Sequence, residues 1–217
     1  TAGIDSALIG ETEIQGQVKR AYESAHQNRP LAPELHFLFQ KCLKIGKNAR
    51  ATYPFYHVLP SIEEAILNIS TNILGGVVNK KILFVGVSEI NHKIFLYFKK
   101  LGCSQVFFCN RSPDKVHEFA EQEKVSILPW EQLDGWQNFD LAIFGTKSPN
   151  LLVYPDLLKK NMSCRLVIDL SVPRNVHPKV GRHSQITLLN VDQLNRSIDR
   201  KRKLKAIEIA RVETTFI

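Results

Sequence analysis

Residues 81–91 read KILFVGVSEIN, a short apolar run that ends at a glycine and passes directly into a helix-like segment. A buried strand, a tight turn at Gly86 and the start of a helix are how a nucleotide-binding β-α unit begins. The dinucleotide fingerprint is G-x-G-x-x-G, and here Ser88 and Asn91 stand at its second and third glycine positions. The sequence therefore predicts a dinucleotide site with an altered glycine turn, and we expect these two side chains to weaken or reshape cofactor binding.

Short apolar segments alternate with helix-like segments after this unit. Strands are predicted at Ile82–Val85, Val106–Cys109, Leu141–Phe144, Leu166–Asp169 and Ile186–Leu189. Helices are predicted at Glu89–Leu101, Pro113–Gln122 and Pro155–Lys160. Buried strands joined by right-handed helical crossovers form a doubly wound parallel sheet, so the predicted fold class is α/β.

The chain divides into three predicted regions around this sheet. Residues 1–57 hold two amphipathic helices and a linker, residues 58–189 form the nucleotide-binding domain, and residues 190–217 form a long charged helix that Asp192 can cap. Ser61 is the predicted N-cap of the helix that opens the middle region. No methionine precedes Thr1 and no stop signal ends the last helix, so we expect a fragment of a longer protein.

Composition narrows the class of protein. No apolar run reaches membrane-spanning length and the first residues do not form a signal peptide, so we expect no membrane partner. The four cysteines lack C-x-x-C spacing, which argues against a metal or disulfide framework and favours the reducing cytoplasm. The net charge of +8 is compatible with a nucleic-acid partner and also with an unbalanced piece of a larger protein.

Cofactor contacts are expected where the first strand ends, because ligands of doubly wound sheets lie beyond the carboxyl ends of the strands. A tight glycine turn and the unpaired N–H groups of the following helix can hold a pyrophosphate. The candidate residues are Gly86, Val87, Ser88, Glu89, Ile90 and Asn91.

The ends of later strands supply further candidates. Asn110, Arg111 and Ser112 follow the second strand, where an enzyme that uses NAD has an acidic residue. Arg111 would instead meet the 2′-phosphate of NADPH; the alternative is a surface arginine before a turn. Thr146 and Ser148 follow the strand predicted at Leu141–Phe144 and are expected near the ribose and nicotinamide, although a plain turn would carry the same residues. The loop after Asp169 is expected where substrate and nicotinamide meet.

Several motifs, in order along nearly the whole chain, resemble those of the glutamyl-tRNA reductase family. Residues 3–19, GIDSALIGETEIQGQVK, are similar to G-x-D-S…G-E-x-Q-I-x-G-Q-V-K, and residues 38–47, LFQKCLKIGK, are similar to L-F-Q-x-A-x-x-x-G-K. Residues 110–112 resemble the family's N-R-T/S. Residues 169–176, DLSVPRNV, resemble D-[IL]-[AS]-V-P-R-[DN]-[IV].

This resemblance implies an activity. The family reduces glutamate attached to its tRNA to glutamate-1-semialdehyde with NADPH, through a cysteine thioester, in the first step of five-carbon tetrapyrrole (5-aminolevulinate, porphyrin) biosynthesis. It implies a homodimer joined through a C-terminal helical domain, with an aminomutase as the next enzyme. Residues 1–57 would then be the tail of the catalytic domain, residues 58–189 the NADPH-binding domain, and residues 190–217 the start of the dimerisation helix.

The resemblance also implies substrate-binding positions, which are Ser6, Glu11, Thr12, Glu13 and Gln17. Glu13 stands where the family has glutamine, so its carboxylate could repel the substrate; Glu11 has an alternative role as an acid favoured by the helix dipole. The nucleophilic cysteine is expected before Thr1, so no catalytic residue is assigned and the chain alone is expected to be inactive. Cys109 imitates the family's Cys-Asn-Arg motif but ends an apolar strand, so we expect it to be packed.

Two other functions remain open from the sequence. A dehydrogenase of the shikimate-dehydrogenase type would need a Lys/Asp catalytic pair in an N-terminal substrate domain, and residues 1–54 do not supply that arrangement. A degenerate nucleotide domain that binds tRNA or protein as a scaffold is favoured by the two missing glycines.

Overall fold

The computed structural model describes residues 13–52, 61–159 and 162–200. The described residues include two helices, α1 (Glu13–Asn28) and α2 (Pro33–Thr52), that belong to one compact unit. The Gln15 side chain on α1 donates a hydrogen bond to the Leu43 carbonyl on α2 at 2.6 Å, which fixes the register between these helices. Within the described ranges, no helix combines the length and the apolar character that a membrane crossing needs.

The second compact unit, Ser61–Ser197, is built on a six-stranded parallel sheet. Its strands are β1 (Ile82–Val85), β2 (Val106–Cys109), β3 (Ser126–Ile127), β4 (Leu141–Phe144), β5 (Leu166–Asp169) and β6 (Thr187–Asn190). The strand order is β3-β2-β1-β4-β5-β6, which is the doubly wound order with its switch point between β1 and β4. Every residue of β1, β4 and β5 is buried, as expected of a sheet that is covered on both faces.

Helices and short helical turns flank and connect these strands. The α-helices are α3 (Ile62–Leu74), α4 (Glu89–Lys100), α5 (Pro113–Glu123) and α6, which covers residues 191–200 of the described chain. The 3₁₀ segments are Trp130–Asn138, Pro155–Leu157 and Pro178–Arg182. The α/β fold and the doubly wound parallel sheet predicted from the sequence are confirmed.

A cluster of aromatic rings fixes α4 against the sheet. Phe84 of β1 stacks on Phe108 of β2, with ring centroids 4.9 Å apart, and Phe95 of α4 meets both rings edge-on. All three side chains are buried, and edge-to-face contacts of this kind add about 0.5–1.5 kcal/mol per pair beyond burial. The position of α4 relative to the ends of β1 and β2 is therefore set by close packing.

One of the two predicted helix caps is present in the structure and the other is not. Ser61 caps α3 as predicted, because its Oγ accepts a hydrogen bond from the Glu64 N–H at 3.2 Å. The prediction that Asp192 caps the last helix is wrong. Asn190 and Gln193 instead exchange two hydrogen bonds of 2.9 Å in a reciprocal cap, while Asp192 pairs with Arg174 at 3.5 Å.

Further elements differ from the predictions. The last strand is displaced by one residue to Thr187–Asn190, and the two-residue strand β3 was not predicted. The predicted helix over 155–160 is wrong, because the chain forms only one 3₁₀ turn there. The buried Gln137 side chain takes the backbone groups that such a helix would use, since its Oε1 accepts from Lys159 N–H at 2.7 Å and its Nε2 donates to Leu157 O at 3.1 Å.

Candidate functional site

The turn after β1 lies at the switch point of the sheet and depends on a glycine. Gly86 has φ +98°, a conformation that side chains disfavour, and a Cβ added there would lie 2.6 Å from the Gly145 carbonyl oxygen. The Gly86 N–H donates to the Cys109 carbonyl at 2.7 Å, which ties the turn to the end of β2. Only a glycine fits this turn, so its backbone can come close to a ligand.

The N-terminus of α4 follows this turn directly. The first N–H groups of a helix lack partners within the helix and can bind an anion such as a pyrophosphate. Here Ser88 is the N-cap, and its Oγ accepts a hydrogen bond from the Asn91 N–H at 3.3 Å. The Val87 N–H is also engaged, because it donates to Asn110 Oδ1 at 3.2 Å. Two of the donors near the turn are therefore already bound within the protein.

The remaining candidates on this helix differ in their exposure. Ile90 is half-buried and Glu89 is exposed in the first turn, where a carboxylate interacts favourably with the helix dipole. Asn91 is fully buried, and its Nδ2 donates to the carbonyl oxygens of Val85 at 3.0 Å and of Gly86 at 2.8 Å. The structure thus places Asn91 behind the turn, where it holds the backbone, rather than on the surface that a cofactor would touch.

The segment after β2 has a different character. Asn110 is held in place, because its Nδ2 donates to the Ser112 carbonyl at 3.1 Å while its Oδ1 accepts from Val87. Arg111 is exposed, and no hydrogen bond or ion pair engages its guanidinium within the described part of the chain. Ser112 is the N-cap of α5 but its hydroxyl makes no capping hydrogen bond. A cation and a hydroxyl are therefore available at this end of the sheet.

The loops after β4 and β5 bind each other through polar side chains. Thr146 Oγ1 donates to Asn175 Oδ1 at 2.5 Å and accepts from the Ser148 N–H at 3.0 Å. The Thr146 N–H donates to Ser171 Oγ at 3.0 Å, and Ser148 Oγ exchanges hydrogen bonds with the backbone of Asn150 at 3.2 and 3.3 Å. The hydroxyls of Thr146 and Ser148 therefore organise the loops in this structure.

Asp169, at the end of β5, anchors the second of these loops. Its carboxylate is buried and accepts hydrogen bonds from the N–H groups of Ser171 at 3.1 Å and of Asn175 and Val176 at 2.9 Å. Burial raises the pKa of Asp169, and the three backbone hydrogen bonds oppose that shift. Sequence reasoning missed the buried Asn175; its one signal was an amide residue inside the loop motif after Asp169, a position that favours bonds to nearby backbone.

Cys103, Cys109 and Cys164 do not have the properties of nucleophiles. Burial, with a smaller contribution from the charge of Glu131, raises the pKa of the fully buried Cys109 to about 12. Burial also raises the pKa of Cys164 to about 12 and that of Cys103 above its usual value. These thiols stay protonated at neutral pH. Cys42 is half-buried. The described ranges contain no group of His, Cys, Asp or Glu side chains that could hold a metal ion.

The predicted substrate-binding residues lie at the start of the chain. Ser6, Glu11 and Thr12 fall outside the described residues, and so does the side chain of Glu13, the first residue of α1. Gln17 is exposed on α1. Their substrate contacts stay predictions.

Two family models match this chain in consecutive segments. Residues 1–53 match glutamyl-tRNAGlu reductase, N-terminal domain, and residues 68–197 match shikimate / quinate 5-dehydrogenase. The second match covers the sheet and the loops at its carboxyl edge. A nucleotide-binding dehydrogenase fold in that family indicates a nicotinamide cofactor.

Relatives match across both segments. A glutamyl-tRNA reductase of Desulfitobacterium hafniense is 30% identical over 94% of this chain and 47% of its own length. One of Chlamydia caviae is 33% identical over 93% of this chain and 57% of its own length. The solved glutamyl-tRNA reductase of Methanopyrus kandleri is 25% identical with a TM-score of 0.63, covering 98% of this chain and 55% of that one.

The chain spans about half the length of these relatives. The two matched segments have the order that the motifs predict, and the resemblance drawn from those motifs is confirmed. The chain belongs to the glutamyl-tRNA reductase family, with a nucleotide-binding domain of the shikimate/quinate 5-dehydrogenase type at residues 68–197.

Proposed function

We propose that this chain carries the NADPH-binding part of an enzyme that reduces glutamyl-tRNA(Glu) to glutamate-1-semialdehyde, the first step of tetrapyrrole biosynthesis. The observation that carries the cofactor assignment is the exposed Arg111, unpaired within the described chain, beside the Ser112 hydroxyl at the carboxyl end of β2. The ribose 2′-substituent of a dinucleotide lies at this place in a doubly wound sheet. A guanidinium binds the oxygens of a phosphate through strong charge-assisted hydrogen bonds.

The residues at the switch point fit a dinucleotide. A Cβ at Gly86 would meet the backbone of Gly145, so the turn keeps the close approach that a pyrophosphate needs. The N-terminus of α4 adds the favourable end of a helix dipole. Two donors there are already engaged, because Ser88 Oγ accepts from the Asn91 N–H and Asn110 Oδ1 accepts from the Val87 N–H, so we expect weaker pyrophosphate binding than a three-glycine turn would give.

Each segment of this edge has its own task in the proposed reaction. Bound NADPH would supply the hydride that reduces a glutamyl thioester. Arg111 and Ser112 would hold the 2′-phosphate, and the turn after Gly86 the pyrophosphate. The loops that carry Thr146 and Asn175 would form a rigid wall on the nicotinamide side, because their hydrogen bonds leave little freedom to move.

The remaining parts of the proposal rest on the family. By the family resemblance we assign the nucleophilic cysteine to a position before Thr1, and the buried, protonated thiols of Cys109 and Cys164 do not compete for that role. Residues 1–57 would contact the glutamyl group, residues 58–189 the cofactor, and residues 190–217 would begin the helix of a homodimer. An aminomutase that receives the aldehyde is the expected partner, and the cytoplasm the expected location.

A cofactor titration tests this assignment. We expect the chain to bind NADPH more tightly than NADH, and Arg111→Gln to weaken NADPH binding by about 10- to 100-fold because a charged phosphate contact is lost. NADH affinity should not change. Arg182→Gln is the matched control, since this exposed arginine lies before the amino end of β6, at the opposite edge of the sheet.

Three results would contradict the proposal in different ways. Equal affinity of the unaltered chain for both cofactors would remove the 2′-phosphate role of Arg111. Failure to bind either cofactor would favour the scaffold function. Single-turnover reduction of glutamyl-tRNA by this chain alone would show instead that the nucleophile lies within it.

A further inference from the structure

Asn91 occupies the third glycine position of the fingerprint, and its surroundings are built to accept it. A glycine at this position allows a helix to pack closely on the sheet. Here the Asn91 side chain is fully buried in that space. Its Nδ2 donates to the last carbonyl of β1, on Val85, and to the carbonyl of Gly86. One amide group therefore holds both peptide units on either side of Gly86.

The space for Asn91 comes from a glycine on another strand. A Cβ added to Gly145 would lie 2.6 Å from Asn91 Oδ1, 2.9 Å from its Cγ and 3.0 Å from its Nδ2. Gly145 does not have a positive φ, so its need for glycine is spatial rather than conformational. In this chain the small residue at the contact between helix and sheet is therefore Gly145, directly after β4, and not residue 91 of the helix.

Asn91 and Gly145 both contact the backbone of the Gly86 turn. The Gly145 N–H donates to the Val85 carbonyl at 2.9 Å, so that oxygen accepts from both Gly145 and Asn91. The Gly145 carbonyl in turn lies where any side chain on Gly86 would be. Asn91 Oδ1 is buried without a hydrogen-bond partner within the described chain. A buried polar atom without a hydrogen-bond partner lowers stability, so Asn91 fills this space at some cost in stability.

We propose that Asn91 is a positioning residue for the dinucleotide: with Gly145 as its spatial counterpart, it sets the shape of the Gly86 turn that faces the pyrophosphate, without touching the cofactor. This inference rests on the proposed nicotinamide-nucleotide function and deepens it. Asn91 packed against Gly145 then takes the place of the fingerprint glycine. Replacing Asn91 should therefore weaken pyrophosphate binding.

The test compares two ligands on Asn91→Gly, which restores the fingerprint glycine. NADPH contains the pyrophosphate, whereas adenosine 2′-monophosphate has the 2′-phosphate but no pyrophosphate. We expect NADPH to bind about tenfold more weakly to N91G, because two hydrogen bonds that shape the turn are lost, and adenosine 2′-monophosphate to bind within about twofold of the unaltered chain. A merely structural role would weaken both ligands alike.

Gly145→Ala provides the second measurement, by thermal unfolding. Its methyl group would meet Asn91, so the single variant should unfold at a lower temperature than the unaltered chain. In the double variant N91G/G145A that contact is gone, and the loss caused by G145A should be mostly recovered. Additive losses would show that residues 91 and 145 are not coupled.

The outcomes separate this inference from the function on which it rests. If the unaltered chain binds no NADPH, the proposed function fails and the inference falls with it. If the unaltered chain binds NADPH and N91G binds it equally well, or loses both ligands in the same proportion, only the role of Asn91 is overturned.

Discussion

The turn after β1 and the segment after β2 lie side by side at the carboxyl edge of the sheet, yet their polar groups are used differently. In the turn, the Val87 N–H, the Asn91 N–H and the Asn91 amide all bind other parts of the protein. In the segment after β2, the guanidinium of Arg111 and the hydroxyl of Ser112 are left available within the described chain. A group that is already bound supports shape, and a group that is free can recognise a ligand.

This difference assigns separate tasks to the two regions. The turn supplies geometry and a helix dipole, while the segment after β2 supplies the charge that distinguishes one nicotinamide cofactor from the other. The loops after β4 and β5 belong with the turn, because Thr146, Ser148 and Asn175 are bonded to each other and to backbone. Mutations of the groups that are already bound should change stability or the shape of the turn, and mutations of the free groups should change ligand selectivity.

The largest expected effect comes from Asp169, a buried carboxylate among the groups that are already bound within the protein. Asp169→Asn replaces a carboxylate that accepts three backbone hydrogen bonds by an amide with a single acceptor oxygen. We expect the free energy of unfolding in urea to fall by about 3 kcal/mol, because hydrogen bonds to a buried charge are lost. The exposed Asp156 offers a matched control, and D156N should change stability by less than about 0.5 kcal/mol.

The difference in free energy of unfolding between the unaltered chain and D169N depends on pH. Burial raises the native pKa of Asp169 above its usual value, so between the two values the native state keeps a proton that the unfolded state has released. The unaltered chain therefore loses stability through this group as pH rises through that window, and D169N does not. The free energy of unfolding of the unaltered chain should therefore approach that of D169N as pH rises. A gap that widens would mean that the backbone hydrogen bonds outweigh burial.

The sequence predicted the parts of this comparison that are local. Apolar runs such as Ile82–Val85 mark buried strands whatever surrounds them, and β1, β2, β4 and β5 have the predicted bounds. Gly86 and Arg111 were found because strand ends in a doubly wound sheet meet at one edge. The site was therefore predictable as a set of positions.

Contacts between distant segments could not be predicted in the same way. Gln137 prevents a helix after Pro155 by binding its backbone, and nothing in the local pattern of residues 155–160 indicates this. Likewise, no local signal shows that Gly145 makes room for Asn91 or that Asn175 engages the hydroxyl of Thr146. Whether a polar group is bound or free is decided by such tertiary contacts, and so the division of tasks came from the structure.

Two N-cap serines, one bound and one free, should give effects of intermediate size on stability and on NADPH affinity. Ser61 and Ser112 both cap helices, but only Ser61 makes the capping hydrogen bond. We expect Ser61→Ala to cost about 1 kcal/mol of stability and Ser112→Ala less than about 0.5 kcal/mol. NADPH affinity should show the reverse, with a loss of about fivefold in S112A and none in S61A. Urea unfolding and calorimetric titration measure the two quantities. If S112A destabilises the chain as much as S61A, Ser112 belongs with the bonded groups.

The smallest expected effect concerns Ser88, the N-cap at the boundary between shape and recognition. Ser88→Gly restores the second glycine of the fingerprint, removes a side chain next to the candidate pyrophosphate and frees the Asn91 N–H that Ser88 Oγ now engages. Glycine is nearly as good an N-cap as serine, so stability should fall by only about 0.3 kcal/mol, and NADPH should bind about two- to threefold more tightly.

Ser88→Ala separates the two causes of that gain. It also frees the Asn91 N–H but keeps a Cβ, and it should cost about 1 kcal/mol of stability because alanine is a poor N-cap. Equal tightening in S88A and S88G would assign the gain to the released N–H, whereas tightening in S88G alone would assign it to closer approach. Weaker NADPH binding in both would show that the Ser88 hydroxyl itself contacts phosphate, and the turn would then take part in recognition as the segment after β2 does.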